Sequence, residues 1–195
     1  MKKLLLAAVL FLPLGAPVLA APAPWAIDNS HTAITFTVDH FGYSTVHGFF
    51  RDFTGELSLD PEAPETSSVA FTIQADSLDT LFAKRDEHLK SADFLDVANF
   101  PTITFQSTKV EPEGDDSAKV TGDLTIKGVT KPVVLDVKLN KLEPSPMTKT
   151  DTAGFTVTTV IKRSDFGVSA YVPAVGDELT VRIDTETSPA AAKTE

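Results

Sequence analysis

The first candidates for chemistry in this 195-residue chain are its four histidines, because the chain has no cysteine. They are His31, His40, His47 and His88. His31 and His40 differ in parity, so a regular strand would place them on opposite faces. No two histidines have the spacing of a zinc-binding helix and no thiolate is available. The sequence therefore predicts no metal site and favours structural histidines or a polar anchor for a ligand.

The motifs of the common enzyme classes are missing. Gly42–Val46 resembles a nucleophile elbow only in its first three residues and lacks the closing glycine. The chain has neither a glycine-rich phosphate loop nor a dinucleotide-binding fingerprint. We therefore predict that the protein is not an enzyme and requires no cofactor.

Two clusters of charged residues remain, Arg85–His88 and Arg163–Gly167. Arginine and carboxylate groups form directional hydrogen bonds, so both clusters are suited to tying neighbouring segments together. Alternatively, Arg85, His88 or Arg163 holds the polar or anionic head group of a ligand. The two roles are compatible.

Most of the chain alternates apolar and polar residues with the period of a half-buried β-strand. Ile34, Phe36 and Val38, for example, are separated by polar residues. About eight such segments follow one another, bounded by turn residues. Antiparallel strands with one apolar face each need a shared interior, so we expect an all-β, eight-stranded antiparallel barrel. The alternation of apolar and polar residues does not exclude the alternative, a flat β-sandwich.

One stretch interrupts the alternation. Leu78, Leu81 and Phe82 recur at helical spacing, a charged cluster follows, and Ser91 gives a second helix-start signal. We expect a short helical insert over about 78–98, placed at the mouth of the barrel.

The predicted inward positions mix large aromatic residues with the small residues Gly55, Ala75 and Gly122. This mixture suits an apolar cavity for one ligand, and it suits a barrel filled by its own side chains equally well. For a cavity, the predicted apolar lining is Phe36, Val38, Phe49, Phe53, Leu57, Phe71, Ile73, Phe82, Leu89, Phe94, Phe105, Leu124, Phe155 and Val157. The predicted polar mouth is His40, Arg85, His88 and Arg163.

The amino terminus has the three parts of a signal peptide. Lys2 and Lys3 are followed by the apolar run Leu4–Leu14 and by the small residues of Val18–Ala20. We predict that residues 1–20 direct export and are then removed, leaving no integral membrane segment.

The mature chain is the length of a single domain, which we place at 21–187, with a disordered tail at 188–195. The formal net charge of the full chain is −10. This acidic balance argues against nucleic acid as a partner and against electrostatic docking on anionic membranes.

Several short motifs, taken together and in order, resemble the YceI-like family across nearly the whole mature chain. They are Trp25–Asp28 with Ser30–His31, Phe36–Gly42, Val46–Phe50, Phe53–Gly55, Arg85–Leu89, Phe100–Pro101, Phe105–Ser107, Gly122–Thr130 and Arg163–Gly167.

The resemblance implies an exported, lipocalin-like barrel without enzymatic activity. It implies a periplasmic carrier whose ligand is a polyisoprenoid, an isoprenoid quinone or another long-chain amphiphile. Fatty acids or fatty amides in a stress-response role are an alternative, and so are a solid-cored interaction module and a lipid-modifying enzyme. A homodimer and a membrane protein as donor or acceptor of the ligand are further expectations.

Overall fold

The alternating sequence forms one antiparallel sheet that curls round the apolar side chains. The computed structural model describes residues 22–191. They contain the helix α1 (Ala83–Lys90) and 11 strands, whose pairings are all antiparallel. The strands are β1 (Ala23–Ile27), β2 (Ala33–His40), β3 (Ser44–Phe50), β4 (Phe53–Leu59), β5 (Ser68–Gln74), β6 (Leu78–Asp79), β7 (Thr102–Pro112), β8 (Ser117–Ile126), β9 (Val129–Pro144), β10 (Asp151–Lys162) and β11 (Val175–Pro189).

Eight of these strands form a closed ring. Its order is β1, β4, β5, β7, β8, β9, β10 and β11, and the pairing of β11 with β1 completes it. Closure pairs the backbone groups that an open sheet would leave at its edges. The predicted eight-stranded antiparallel barrel is confirmed.

Strand β11 is long enough to have two neighbours on the same side. Around Thr187 it pairs with β1, and around Ile183 it pairs with β2. Strand β2 pairs with β3, which pairs with the short β6 only at Phe49 and Phe50. The rest of that edge of β3 has no strand partner within residues 22–191. The chain that follows β6, including α1, lines the interior at this end.

The predicted insert over 78–98 is less helical than expected. Only α1 is an α-helix there, because the first residues form β6 and those after α1 form turns. Ser91 ends α1 instead of starting a second helix, since its N–H and its hydroxyl both donate to the carbonyl of His88, at 3.1 and 2.7 Å. Serine competes with the helix for backbone partners in this way. Among the described residues, no helix is both long and apolar enough to cross a bilayer.

The predicted disordered tail at 188–195 begins too early. Strand β11 continues to Pro189, which pairs with Trp25 of β1. This end of β11 is rich in threonine and poor in apolar residues, so its polarity concealed its strand propensity. Residues 192–195 and the predicted signal peptide 1–20 lie outside the described residues.

Two glycines explain why large and small residues alternate on the inner wall. A Cβ atom at Gly48 would lie 2.2 Å from the ring of Phe36, its cross-strand partner. At Gly122 it would lie 2.3 Å from the ring of Phe105 and 2.6 Å from the backbone oxygen of Gln106. Each ring thus occupies the space that a side chain on the neighbouring strand would take.

Candidate ligand-binding site

The barrel is hollow. It encloses a cavity of about 750 Å³, within the range of small-molecule sites. The lining comes from all eight ring strands, from β2 and β3, and from α1. This volume separates the two alternatives that the sequence left open, because a barrel filled by its own side chains would leave no such space.

All but two of the predicted apolar lining residues lie on the cavity wall. Their contact with a ligand stays a prediction. Those on the wall are Phe36, Val38, Leu57, Phe71, Ile73, Phe82, Leu89, Phe94, Phe105, Leu124, Phe155 and Val157.

Phe49 and Phe53 are the two that do not line the cavity. Gly48 faces the ring of Phe36 on the inner wall, and successive strand residues point to opposite faces, so the next residue, Phe49, points outward. On the outside, the Arg51 guanidinium lies 5.7 Å from the ring centre of Phe49. The prediction treated β3 and β4 as one strand and gave Phe49 and Phe53 the same inward parity. Two residues separate the strands, and across this break the inward positions change from even-numbered on β3 to odd-numbered on β4. Phe53 does point inward and is only 5% exposed, but it packs with Phe71 beneath the cavity surface.

Much of the wall was absent from the predicted site. The missed residues are spread over nearly all the strands and the segments that join them, and β9 and β11 were missed entirely. The alternation of β9 and β11 already gave their parity, so applying the parity argument to every strand would have found these residues. Examples are Val46, Phe50, Val133, Leu135, Val137, Phe166, Leu179, Val181 and Ile183.

Large apolar side chains surround the open end of the cavity. Phe41, Leu81, Phe82 and Tyr171 are all exposed, and three of these four lie against the cavity. Phe41, Leu81 and Tyr171 have positive φ angles of 56°, 65° and 62°. This left-handed conformation is unfavourable for bulky residues by about 1 kcal/mol or more each. The fold therefore tolerates backbone strain where it presents apolar groups at the mouth.

The two predicted mouth histidines lie beside aromatic rings. His88 packs edge-on against Phe94 and Tyr171, with ring centres 5.0 and 6.1 Å apart. His40 packs edge-on against Phe41 at 4.5 Å. Both histidines are exposed and line the cavity opening.

Arg85 is fixed to the segment that carries α1. Its Nε donates to the Thr80 hydroxyl at 2.7 Å and its Nη2 to the Thr80 carbonyl at 2.6 Å. The N–H and the hydroxyl of Thr80 donate to the Asp86 carboxylate, at 2.8 and 2.5 Å. Nη1 of Arg85 has no hydrogen-bond acceptor within residues 22–191. Arg85 thus braces the fold and still offers donors at the mouth.

Arg163, which directly follows β10, holds the chain between β10 and β11 by hydrogen bonds to its backbone. It is only 6% exposed, and four of its N–H groups donate to the carbonyls of Val168, Ala170, Val175 and Gly176, at 2.8–3.0 Å. Burial lowers the pKa of the guanidinium, and Asp177 opposes this effect. Since Arg has five N–H groups, Arg163 retains one for a ligand. Its role as a head-group anchor stays a prediction.

A cluster of potential metal ligands lies on the outside of the barrel. Donor atoms of Asp28, His31 and Glu186 lie within 4.8 Å of one another. The His31 Nδ1 atom is 2.7 Å from the Asp28 carboxylate, which also accepts from the N–H and the hydroxyl of Ser30. These contacts lower the pKa of Asp28 and raise the pKa of His31. The cluster is therefore an exposed ion pair that stabilises the turn between β1 and β2.

A closed antiparallel barrel with an apolar cavity defines a class of protein, the lipocalin-like ligand-binding barrels. The particular family follows from comparison with known proteins. Residues 25–187 match the model of the YceI-like domain, and the chain belongs to this family.

Relatives match along most of their length. A UPF0312 protein of Ectopseudomonas mendocina is 43% identical over 152 residues, covering 77% of this chain and 79% of the relative. Protein YceI of Salmonella arizonae is 40% identical over 169 residues, covering 86% of this chain and 87% of the relative.

Solved structures share the fold. The YceI protein of Campylobacter jejuni is 31% identical with a TM-score of 0.73, covering 78% of this chain and 90% of that chain. BcnA of Burkholderia cenocepacia is 24% identical with a TM-score of 0.75, covering 82% of this chain and 98% of that chain. A polyisoprenoid-binding domain of Saccharophagus degradans is 13% identical with a TM-score of 0.65, covering 85% of this chain and 98% of that chain.

Proposed function

We propose that this protein is a periplasmic carrier that sequesters a long-chain amphiphile, most simply a polyisoprenoid or an isoprenoid quinone. The observation that carries the proposal is the apolar cavity of about 750 Å³ inside the barrel. Its family supports the proposal, since YceI-like domains are binding domains. Fatty acids or fatty amides are the second candidates, because their tails are also apolar.

The proposed mechanism is burial of the tail. Each methylene group removed from water contributes about 0.8 kcal/mol, so a long tail provides affinity without specific polar contacts. The apolar side chains at the mouth give the tail a continuous apolar path into the barrel. No chemical step and no cofactor are needed for this mechanism.

Export, self-association and exchange partners belong to the same proposal. Signal cleavage after Ala20 would place the mature carrier in the periplasm, and amino-terminal sequencing of the periplasmic protein tests this expectation. A homodimer and a membrane protein that donates or accepts the ligand are also expected.

Mass spectrometry of organic extracts tests the function. The protein is purified in its mature form alongside a mock purification from cells that lack it, and the apo protein is then incubated with all-trans-retinol. We expect a long-chain species enriched in the extract, or saturable retinol binding near one molecule per barrel. An empty extract together with no retinol binding would overturn the proposal.

A further inference from the structure

We infer that the amphiphile has an anionic head group, a carboxylate or a phosphate, held at the mouth by Lys84 and Arg85. This inference rests on the proposed carrier function. It comes from the charge of the cavity wall, which differs from that of the whole protein.

Within residues 22–191, every ionisable residue that lines the cavity, apart from the phenol of Tyr171, is basic. Aspartate and glutamate are absent from this part of the lining, although the chain has 27 acidic residues against 17 lysines and arginines. The acidic excess therefore lies elsewhere. The basic residues on the wall are His40, Lys84, Arg85, His88 and Arg163.

These cations differ in how much of their charge is available. Arg163 is largely used by backbone carbonyls, as described above. Lys84 has no hydrogen bond and no ion pair with any residue in the described part of the chain. It is exposed and lines the cavity, and it lies four residues before His88, so the two side chains share one face of α1. Lys84 is thus the freest cation at the opening.

Acidic residues lie beside this face of α1, but none of those within residues 22–191 lines the cavity; Glu87, which follows Asp86 on α1, is exposed. The Asp86 carboxylate accepts from Thr80. The Asp79 carboxylate accepts from Leu81 and from Arg51, and these contacts lower its pKa. The charge of Asp79 is therefore balanced by Arg51, whereas Asp86 keeps its charge but lies outside the cavity lining. Among the described residues, only Asp93 forms an ion pair with a mouth cation, with its Oδ2 3.7 Å from Nε2 of His88.

The opposite end of the cavity has no charged residue in its lining, as far as the described part of the chain forms it. It is lined by hydroxyl groups, including those of Ser67, Thr185 and Thr187. These hydroxyls have partners of their own: Ser67 accepts from Asp60, Thr185 pairs with Thr32, and Thr187 donates to a carbonyl. An anion buried at that end would lack a counter-charge, which is costly. The head group therefore lies at the mouth and the tail extends inward.

Pairs of probes with the same tail and different head groups test the inference. All-trans-retinoic acid is compared with all-trans-retinol, and farnesyl phosphate with farnesol, by fluorescence titration or competition. The first pair tests a carboxylate and the second a phosphate, so the two sources of negative charge are distinguished. In the wild-type protein we expect at least one anionic probe to bind about ten-fold more tightly than its alcohol.

Variants separate the head-group contact from the fold. Lys84→Ala should weaken binding of that anion about five- to ten-fold and leave the alcohol within about two-fold. Lys90→Ala removes a cation from the same helix that does not line the cavity, so both affinities should be unchanged. Arg85→Met should also weaken anion binding. Arg85 also donates hydrogen bonds to Thr80, so Arg85→Met can disturb the fold around α1. If this variant weakens the anion and the alcohol equally, the Lys84 variant decides the result.

The possible outcomes are distinct. Equal affinity for anions and alcohols, or a preference that Lys84→Ala leaves unchanged, would overturn the inference while the carrier function stands. Failure of all four probes to bind, together with an empty organic extract, would instead contradict the carrier function.

Discussion

Lengthening the tail of a bound amphiphile should raise its affinity until the cavity is full. The cavity of about 750 Å³ holds about 25 non-hydrogen atoms, at ~30 Å³ for each, the share of a water molecule in the liquid. Each buried methylene contributes about 0.8 kcal/mol, which is about four-fold in affinity. Affinity should therefore rise by up to about four-fold per carbon of the tail and level off when the ligand has about 25 non-hydrogen atoms.

Displacement of bound retinol by straight-chain carboxylic acids, delivered from cyclodextrin, measures this dependence. The matched variants are Val157→Phe and Val160→Phe, both on β10. Val157 lines the cavity, whereas Val160 is 57% exposed on the outer face. Phenylalanine adds about four carbon atoms, so Val157→Phe should move the plateau about four carbons shorter and Val160→Phe should leave it in place. An affinity that is independent of tail length, or the same plateau in both variants, would refute the tail-in-barrel model.

Three further expectations concern the residues around the site. Arg163→Met should lower the free energy of unfolding by about 3 kcal/mol, because it leaves one buried and three half-buried carbonyls without donors, and urea titration measures the loss; unchanged stability with lost ligand binding would assign Arg163 to the head group instead. Asp86→Ala removes the acceptor of both Thr80 donors, so it should lower stability by about 1–3 kcal/mol and speed hydrogen exchange in α1, and unaltered exchange there would contradict the bracing role. NMR titration should give His31 a pKa above about 6.5, and Asp28→Asn should lower it. Since the pKa of His31 is raised on folding, its contribution to stability is complete below about pH 6.5 and is lost as the pH rises through the folded-state pKa; a wild-type midpoint at or below 6.5 would contradict the ion pair.

The barrel could be predicted from the sequence because the apolar residues that alternate along each strand identify its inner face. The prediction failed where this alternation is interrupted. The break between β3 and β4 reversed the parity of Phe49, and the polar end of β11 concealed strand residues up to Pro189. Local signals were also ambiguous at Ser91, where one side chain can begin a helix or end the one before it.

The state of the interior could not be predicted in the same way. Filled and hollow barrels have the same alternation, and only the packing of rings such as Phe36 over Gly48 separates them. The availability of the charged side chains was equally hidden. Arg163 and Lys84 are both basic residues, and the sequence does not show which of them has hydrogen-bond partners. In the structure, backbone carbonyls accept from four N–H groups of Arg163, whereas the Lys84 ammonium has no partner among the described residues. Lys84 was not among the predicted site residues for that reason.

The central claim is that the tail of an amphiphile lies inside the barrel. Isotope-filtered NMR of the methyl-labelled protein with unlabelled retinol tests it most directly, since nuclear Overhauser effects report which methyl groups touch the ligand. The expected result is contacts from the inward-facing Val38, Leu124 and Val157 and none from the outward-facing Val134 and Val160. Contacts confined to outward-facing methyl groups, or no intermolecular contact at saturating retinol, would contradict the account.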